Sequence, residues 1–97
     1  MRVISASASP LGHEIITVES EAISSLTPAK YARAITAYIL VEGGPIRFWV
    51  DGSDPSDTEG FLLIAGESIE LDSPAEISKF RATATAADST LTVAYSA

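Results

Sequence analysis

The sequence has no cysteine, one histidine and one methionine among its 97 residues. Without cysteine there are no disulfides and no thiolate metal ligands, so stability rests on packing and backbone pairing alone. A lone His13 cannot join others in an imidazole cluster, which excludes metal sites built from several His or Cys ligands. Basic residues are scarce as well: six Lys and Arg stand against thirteen carboxylates, a net charge of −7. A field of that sign repels phosphate backbones, so nucleic acid is not an expected partner. Long apolar runs are also missing. None reaches the roughly 20 residues of a membrane-spanning helix or the roughly 7–15 of a secretory signal. The reading is a soluble chain made in a cytoplasm, without a membrane partner.

What is present fits one small globular domain. Apolar residues make up 46% of the chain and charged residues 20%, enough apolar surface for a core and too little charge for disorder throughout. Residues 1–12 are rich in serine and small residues and read as a flexible arm, with one short strand over Arg2–Ser5. Residues 13–97 read as the domain.

Within that domain the periodicity is that of strands. Ile15–Val18 is β-branched throughout, and Ala22–Leu26 is a second short run. Pro28–Arg33 allows one helical turn, with Pro at its start. Over Ala34–Glu42 the residues Ile35, Ala37, Ile39 and Val41 share one face. Gly43-Gly44 then supplies a turn, and Ile46–Val50 runs back, which predicts a hairpin. Its second strand turns Ile46, Phe48 and Val50 inward and Arg47 and Trp49 outward. Further strands are expected over Phe61–Ile64, Ser68–Leu71, Ile77–Thr85 and Thr90–Ser96, with Ser73–Glu76 capping a helical turn between them. Ile69, Leu71, Phe80, Ala82, Ala84, Leu91, Val93 and Tyr95 are the inward candidates. The fold class is all-β: a small antiparallel β-sandwich of about seven or eight short strands, jelly-roll or immunoglobulin-like. Strand spacing does not distinguish the two.

Catalytic signatures are thin. His13 has no Gly-x-Ser-x-Gly partner motif, and no reaction is demanded by the residues, so the chain does not read as an enzyme. The loop from Asp51 to Gly60 carries Asp51, Asp54, Asp57 and Glu59, which could turn several carboxylates toward one calcium ion. Asp-Gly and Asp-Pro pairs are equally what turns require. A glycosidase pair from Asp51 and Glu59 lacks an enclosing groove. Tyr31, Tyr38, Arg47 and Trp49 form the other constellation: aromatics and arginine on one sheet face are interface anchors, or a platform for sugar stacking.

One string of residues is familiar. It comprises Ala37–Val41 with Glu42, Pro45-Ile46-Arg47-Phe48, Asp51-Gly52-Ser53-Asp54-Pro55, Gly60, Ala65-Gly66-Glu67, Ile69-Glu70-Leu71 and Ile77-Ser78-Lys79-Phe80-Arg81-Ala82. Spanning about residues 14–96, this resembles a family of small virion proteins of tailed bacteriophages, of the capsid decoration or cement class. The acidic Asp57 and Glu59 depart from that pattern. The resemblance implies a non-enzymatic structural protein on the capsid exterior, bound to the major capsid protein as a trimer or dimer. Neck or tail placement, or a carbohydrate- or calcium-binding module, is the alternative.

Overall fold

The computed structural model describes residues 9–97, so the strand expected over Arg2–Ser5 lies outside the described residues. The described chain forms, in order, β1 (Pro10–Val18), β2 (Ser24–Ser25), α1 (Pro28–Tyr31), β3 (Thr36–Glu42) and β4 (Ile46–Trp49). After a long loop come β5 (Phe61–Leu63), β6 (Ser68–Leu71), α2 (Pro74–Lys79), β7 (Arg81–Ala84) and β8 (Ser89–Ser96). Two four-stranded sheets result, with orders β1-β8-β3-β6 and β2-β7-β4-β5.

The pairing has a simple logic. β1 pairs with β8, β2 with β7, β3 with β6 and β4 with β5, each antiparallel. Those are the rungs of one long folded ribbon. Rolling the ribbon adds two further antiparallel ladders, β3 on β8 and β4 on β7. An eight-stranded ribbon rolled in this way is a jelly-roll. The strand order excludes the immunoglobulin-like arrangement.

Alternation fills the space between the sheets. Ala37, Ile39 and Val41 of β3 and Leu91, Val93 and Tyr95 of β8 face Ile46 and Phe48 of β4 and Ala82 and Ala84 of β7, all of them buried. Phe80, immediately before β7, stacks on Phe48 with ring centroids 5.6 Å apart.

Four expectations are corrected. β3 and β4 do not form a hairpin, because they belong to different sheets. Gly43, at φ 92°, instead turns the chain across the sandwich. The buried Ser89 hydroxyl secures that crossing, lying 2.9 Å from the carbonyl of Glu42 and 2.7 Å from that of Gly44. β3 gains more by pairing over its whole length with β8 than by turning back on a four-residue neighbour. The strand expected over Ile77–Thr85 starts at Arg81, since Ile77 and Lys79 complete α2. Ser73 caps that helix by accepting from the Glu76 N–H at 3.2 Å, and the Glu76 carboxylate accepts from the Asp72 N–H at 2.9 Å. Ile35 is exposed because it precedes β3. The domain boundary drawn at residue 13 falls inside β1. Ser9 and Ala97 already exchange backbone hydrogen bonds of 2.8 and 2.9 Å.

Ile39 sits fully buried at the centre of this core. Truncation to alanine removes three methyl-equivalents and leaves a void the neighbouring strands cannot close. Ile39→Ala is expected to lower unfolding stability by about 2–5 kcal/mol, measured as a fall in the urea midpoint at unchanged slope.

Candidate functional site

The outer face and free edge of the β2-β7-β4-β5 sheet carry the most distinctive surface chemistry. Alternation in β4 sends Ile46 and Phe48 inward and leaves Arg47 and Trp49 on the outside, half-buried. Arg47 is not a free cation for a partner. Its Nη1 donates to the Gly60 carbonyl at 2.9 Å and its Nε to the Asp57 carbonyl at 3.3 Å, fastening the end of the 51–60 loop onto the sheet. Gly60 makes that approach possible. Its φ is 129°, and a Cβ there would lie 3.1 Å from the Phe48 nitrogen, so a side chain is disfavoured both by backbone strain and by crowding.

The clamp delivers the chain to β5, the edge strand. Phe61 lands opposite Phe48, with ring centroids 5.6 Å apart, and meets Trp49 edge-on at 5.3 Å. It nonetheless remains 58% exposed, while Leu62 is 49% and Ile64 51% exposed. Exposed apolar side chains therefore run along this edge of the sandwich, from Phe61 beside Trp49 through Leu62 to Ile64. Isolated exposed apolar residues are ordinary, but a contiguous group marks an interaction site. Glu59 precedes this group and Glu67 follows it. The Glu67 carboxylate accepts from the Ile64 N–H at 2.9 Å, and the Ile64 carbonyl accepts from the Glu67 N–H at 3.0 Å. These bonds close the turn that follows β5.

Of the loop carboxylates considered for calcium, the side chains of Asp51 and Asp54 have different partners. Asp51 accepts from the Ser53 N–H at 2.9 Å, an Asx-type turn. That N–H, helped by the Ser53 hydroxyl and the charge of Lys79, holds the Asp51 carboxyl below the ordinary aspartate range. Asp54 lies 3.5 Å from Arg81 Nη1. Asp57 engages Arg47 through its carbonyl, and Glu59 accepts from the Ser56 N–H through its carbonyl, not its carboxylate. Among the described residues, no three His, Cys, Asp or Glu side chains converge as a metal ion requires.

Nor do the four aromatic and arginine candidates share a face. Tyr38 lies on β3, in the other sheet, and its hydroxyl donates to Ser68 Oγ at 3.0 Å. Tyr31 ends α1 and packs against the core. Arg47 and Trp49 remain together, and Phe61, Leu62 and Ile64 join them. Alternation cannot identify those three as exposed, because a short apolar run reads as a core strand until its edge position is known. An open hollow of about 270 Å³ lies nearby, lined by Glu21, Ile23, Pro55, Ser56, Asp57 and Thr83. Trp49 and Tyr38 do not line it. His13 stands exposed on the outer side of β1, across from Ala94.

One polar group missed in the sequence braces the opposite edge. Glu14 shares the inward side of β1 with Ile16 and Val18. It accepts from the Tyr95 hydroxyl at 2.5 Å, the Thr27 hydroxyl at 2.6 Å and the Thr27 N–H at 3.2 Å. Partial burial raises its pKa, but these hydrogen bonds and the charge of Lys30 outweigh that and hold it below the ordinary 4.5. Burial, then the Glu14 carboxylate, push the Tyr95 phenol strongly upward. The Glu14-Ile16-Val18 alternation was the available signal.

No family model matches the chain, and no curated protein or solved structure matches it either.

A depressed carboxylate pKa stabilises the fold above the unfolded-state value and loses that contribution as pH falls through the folded-state value. Glu14→Gln is therefore expected to cost about 1 kcal/mol near neutrality. The difference from wild type should shrink below the ordinary glutamate value of 4.5, followed by urea denaturation across pH 2–7.

Proposed function

We propose that this chain is a non-enzymatic virion structural protein, a decoration or cement domain that docks on the major capsid protein at the outside of the head. The apolar edge that Phe61, Leu62 and Ile64 form beside Trp49 carries the reading. It carries two aromatic rings and two aliphatic side chains, with Glu59 before them and Glu67 after them in the chain. Surfaces of this composition supply the buried centre of protein–protein contacts, with the surrounding polar residues excluding water. The jelly-roll is a fold that capsid proteins use, although lectins use it too, so the topology agrees with the proposal only by analogy. The resemblance of residues 14–96 to phage decoration proteins points the same way.

A cement role needs rigidity at the docking edge. Here the Arg47 clamp and the Gly60 approach fix Phe61 against Phe48 and Trp49. The contact is thus formed before the partner arrives, which lowers the ordering cost of association. Outward carboxylates keep the free protein soluble and select a partner face that is apolar with positive margins.

Electron cryo-microscopy of particles made with and without this gene provides the test. Density for a β-domain on the capsid exterior, present in one and absent in the other, is the expected result. Density at the neck or tail alone, or identical heads in both, would remove the capsid role. In co-sedimentation with particles lacking the protein, Phe61→Glu is expected to weaken binding at least tenfold, the loss typical of a central anchor residue. Circular dichroism should show the fold retained. Binding equal to wild type would exclude this edge as the contact.

A further inference from the structure

We propose that two copies of this chain join edge to edge along β1, making one continuous eight-stranded sheet with Ile15 on the two-fold axis. The four sheet edges differ in what they offer. β2 is two residues long, with Glu19 and Glu21 before it. β5 is three residues long between Glu59 and Glu67, and the turn after it is closed by the Glu67 bonds. β6 carries Glu70 between Glu67 and Asp72. For a chain of net charge −7, these three edges are short and have carboxylates within or beside them. β1 is different: from Gly12 to Val18 its register with β8 is unbroken, leaving seven residues of straight free edge.

The outward side of that segment carries His13, Ile15 and Thr17, all exposed and without a carboxylate. Ile15, 69% exposed, is the most exposed of the large apolar residues described. Glu14, the one acid in the segment, points inward and is held by Tyr95 and Thr27. A long, flat, uncharged edge is the kind that natural sheets cover.

One antiparallel register uses the straight segment completely. With Ile15 facing its own copy, His13 stands opposite Thr17 of the second copy, Glu14 opposite its Ile16, and Gly12 opposite its Val18. No like charges meet. Past the paired segment, at the same end, come Leu11 at the bulge of one copy and, in the other, the exposed Glu19, where the chain crosses toward its own β7. Leu11 shares a surface hollow with Lys30 and Arg33. Two-fold symmetry repeats this at the other end, so each cation-rich corner lies at the same end as a carboxylate of the other copy. Self-complementarity of this sort is what an isologous two-fold contact requires. The contact lies in the sheet that does not contain β5, so it stands or falls separately from the capsid-docking reading.

Because the chain contains no cysteine, Ile15→Cys introduces a single thiol and reads the register directly. Opposed Cβ atoms across a strand pair lie about 4.5–5.5 Å apart, close to disulfide reach. Mild oxidation of Ile15→Cys is expected to convert most of the protein to a covalent dimer. His13→Cys alone should form no covalent dimer, whereas His13→Cys mixed with Thr17→Cys should crosslink. In sedimentation equilibrium the unmodified chain is expected to dimerise reversibly. Ile15→Lys should weaken dimerisation at least tenfold with an unchanged circular dichroism spectrum. Glu19→Lys should weaken it too, and should be restored by adding Lys30→Glu and Arg33→Glu. A chain that sediments as a monomer at hundreds of micromolar, equal crosslinking of Ile15→Cys and His13→Cys alone, or undiminished dimerisation of Ile15→Lys would each overturn the proposal.

Discussion

The antiparallel ladder between β3 and β8 is the contact on which the molecule depends, because it turns a folded ribbon into a closed sandwich. Seven residues of β3, from Thr36 to Glu42, are in register with β8. Their inward faces supply Ala37, Ile39, Val41, Leu91, Val93 and Tyr95 to the core. Each of these strands also holds an outer neighbour, β6 on β3 and β1 on β8. Loss of this ladder would separate the sheet into two strand pairs, each with an uncovered apolar face. Such pairs are too small to be stable alone in water.

The margins of the sandwich are secured differently, by polar side chains acting on backbone. Glu14 ties β1 to Tyr95 of β8 and to Thr27 at the start of α1. Ser89 holds the crossing from β3 to β4, and Arg47 holds the return of the 51–60 loop. Among the described residues no buried side-chain nitrogen or oxygen lacks a hydrogen-bond partner. This matters for a chain without disulfides. Each connection that leaves one sheet for the other would otherwise strand carbonyls away from water.

Those same connections decide what the surface presents. The Arg47 clamp occupies guanidinium donors that alternation places on the outside and delivers Phe61 to the rim. At the other side, the inward turn of Glu14 clears β1 of negative charge and leaves Ile15 uncovered. Two apolar regions thus lie on different sheets, on a protein whose remaining surface is strongly acidic. Contacts made at the two would not compete for one surface.

The sequence by itself determined the all-β class, most strand positions and the inward residues, because period-two alternation follows from backbone geometry and needs no knowledge of neighbours. It determined the Ser73 cap for the same local reason. Tertiary structure decided which strands pair. The Gly43-Gly44 turn is compatible with a hairpin or a crossing, and the long β8, far away in sequence, settles it as a crossing. It also decided which apolar residues are surface: Phe61, Leu62 and Ile64 have core composition but stand on an edge. Likewise, the loop acids share a short stretch of chain, yet Asp51 bonds Ser53 and Asp54 faces Arg81, because neighbours in sequence diverge once the chain turns. Proximity along the chain is a local property, whereas convergence on one point in space belongs to the fold.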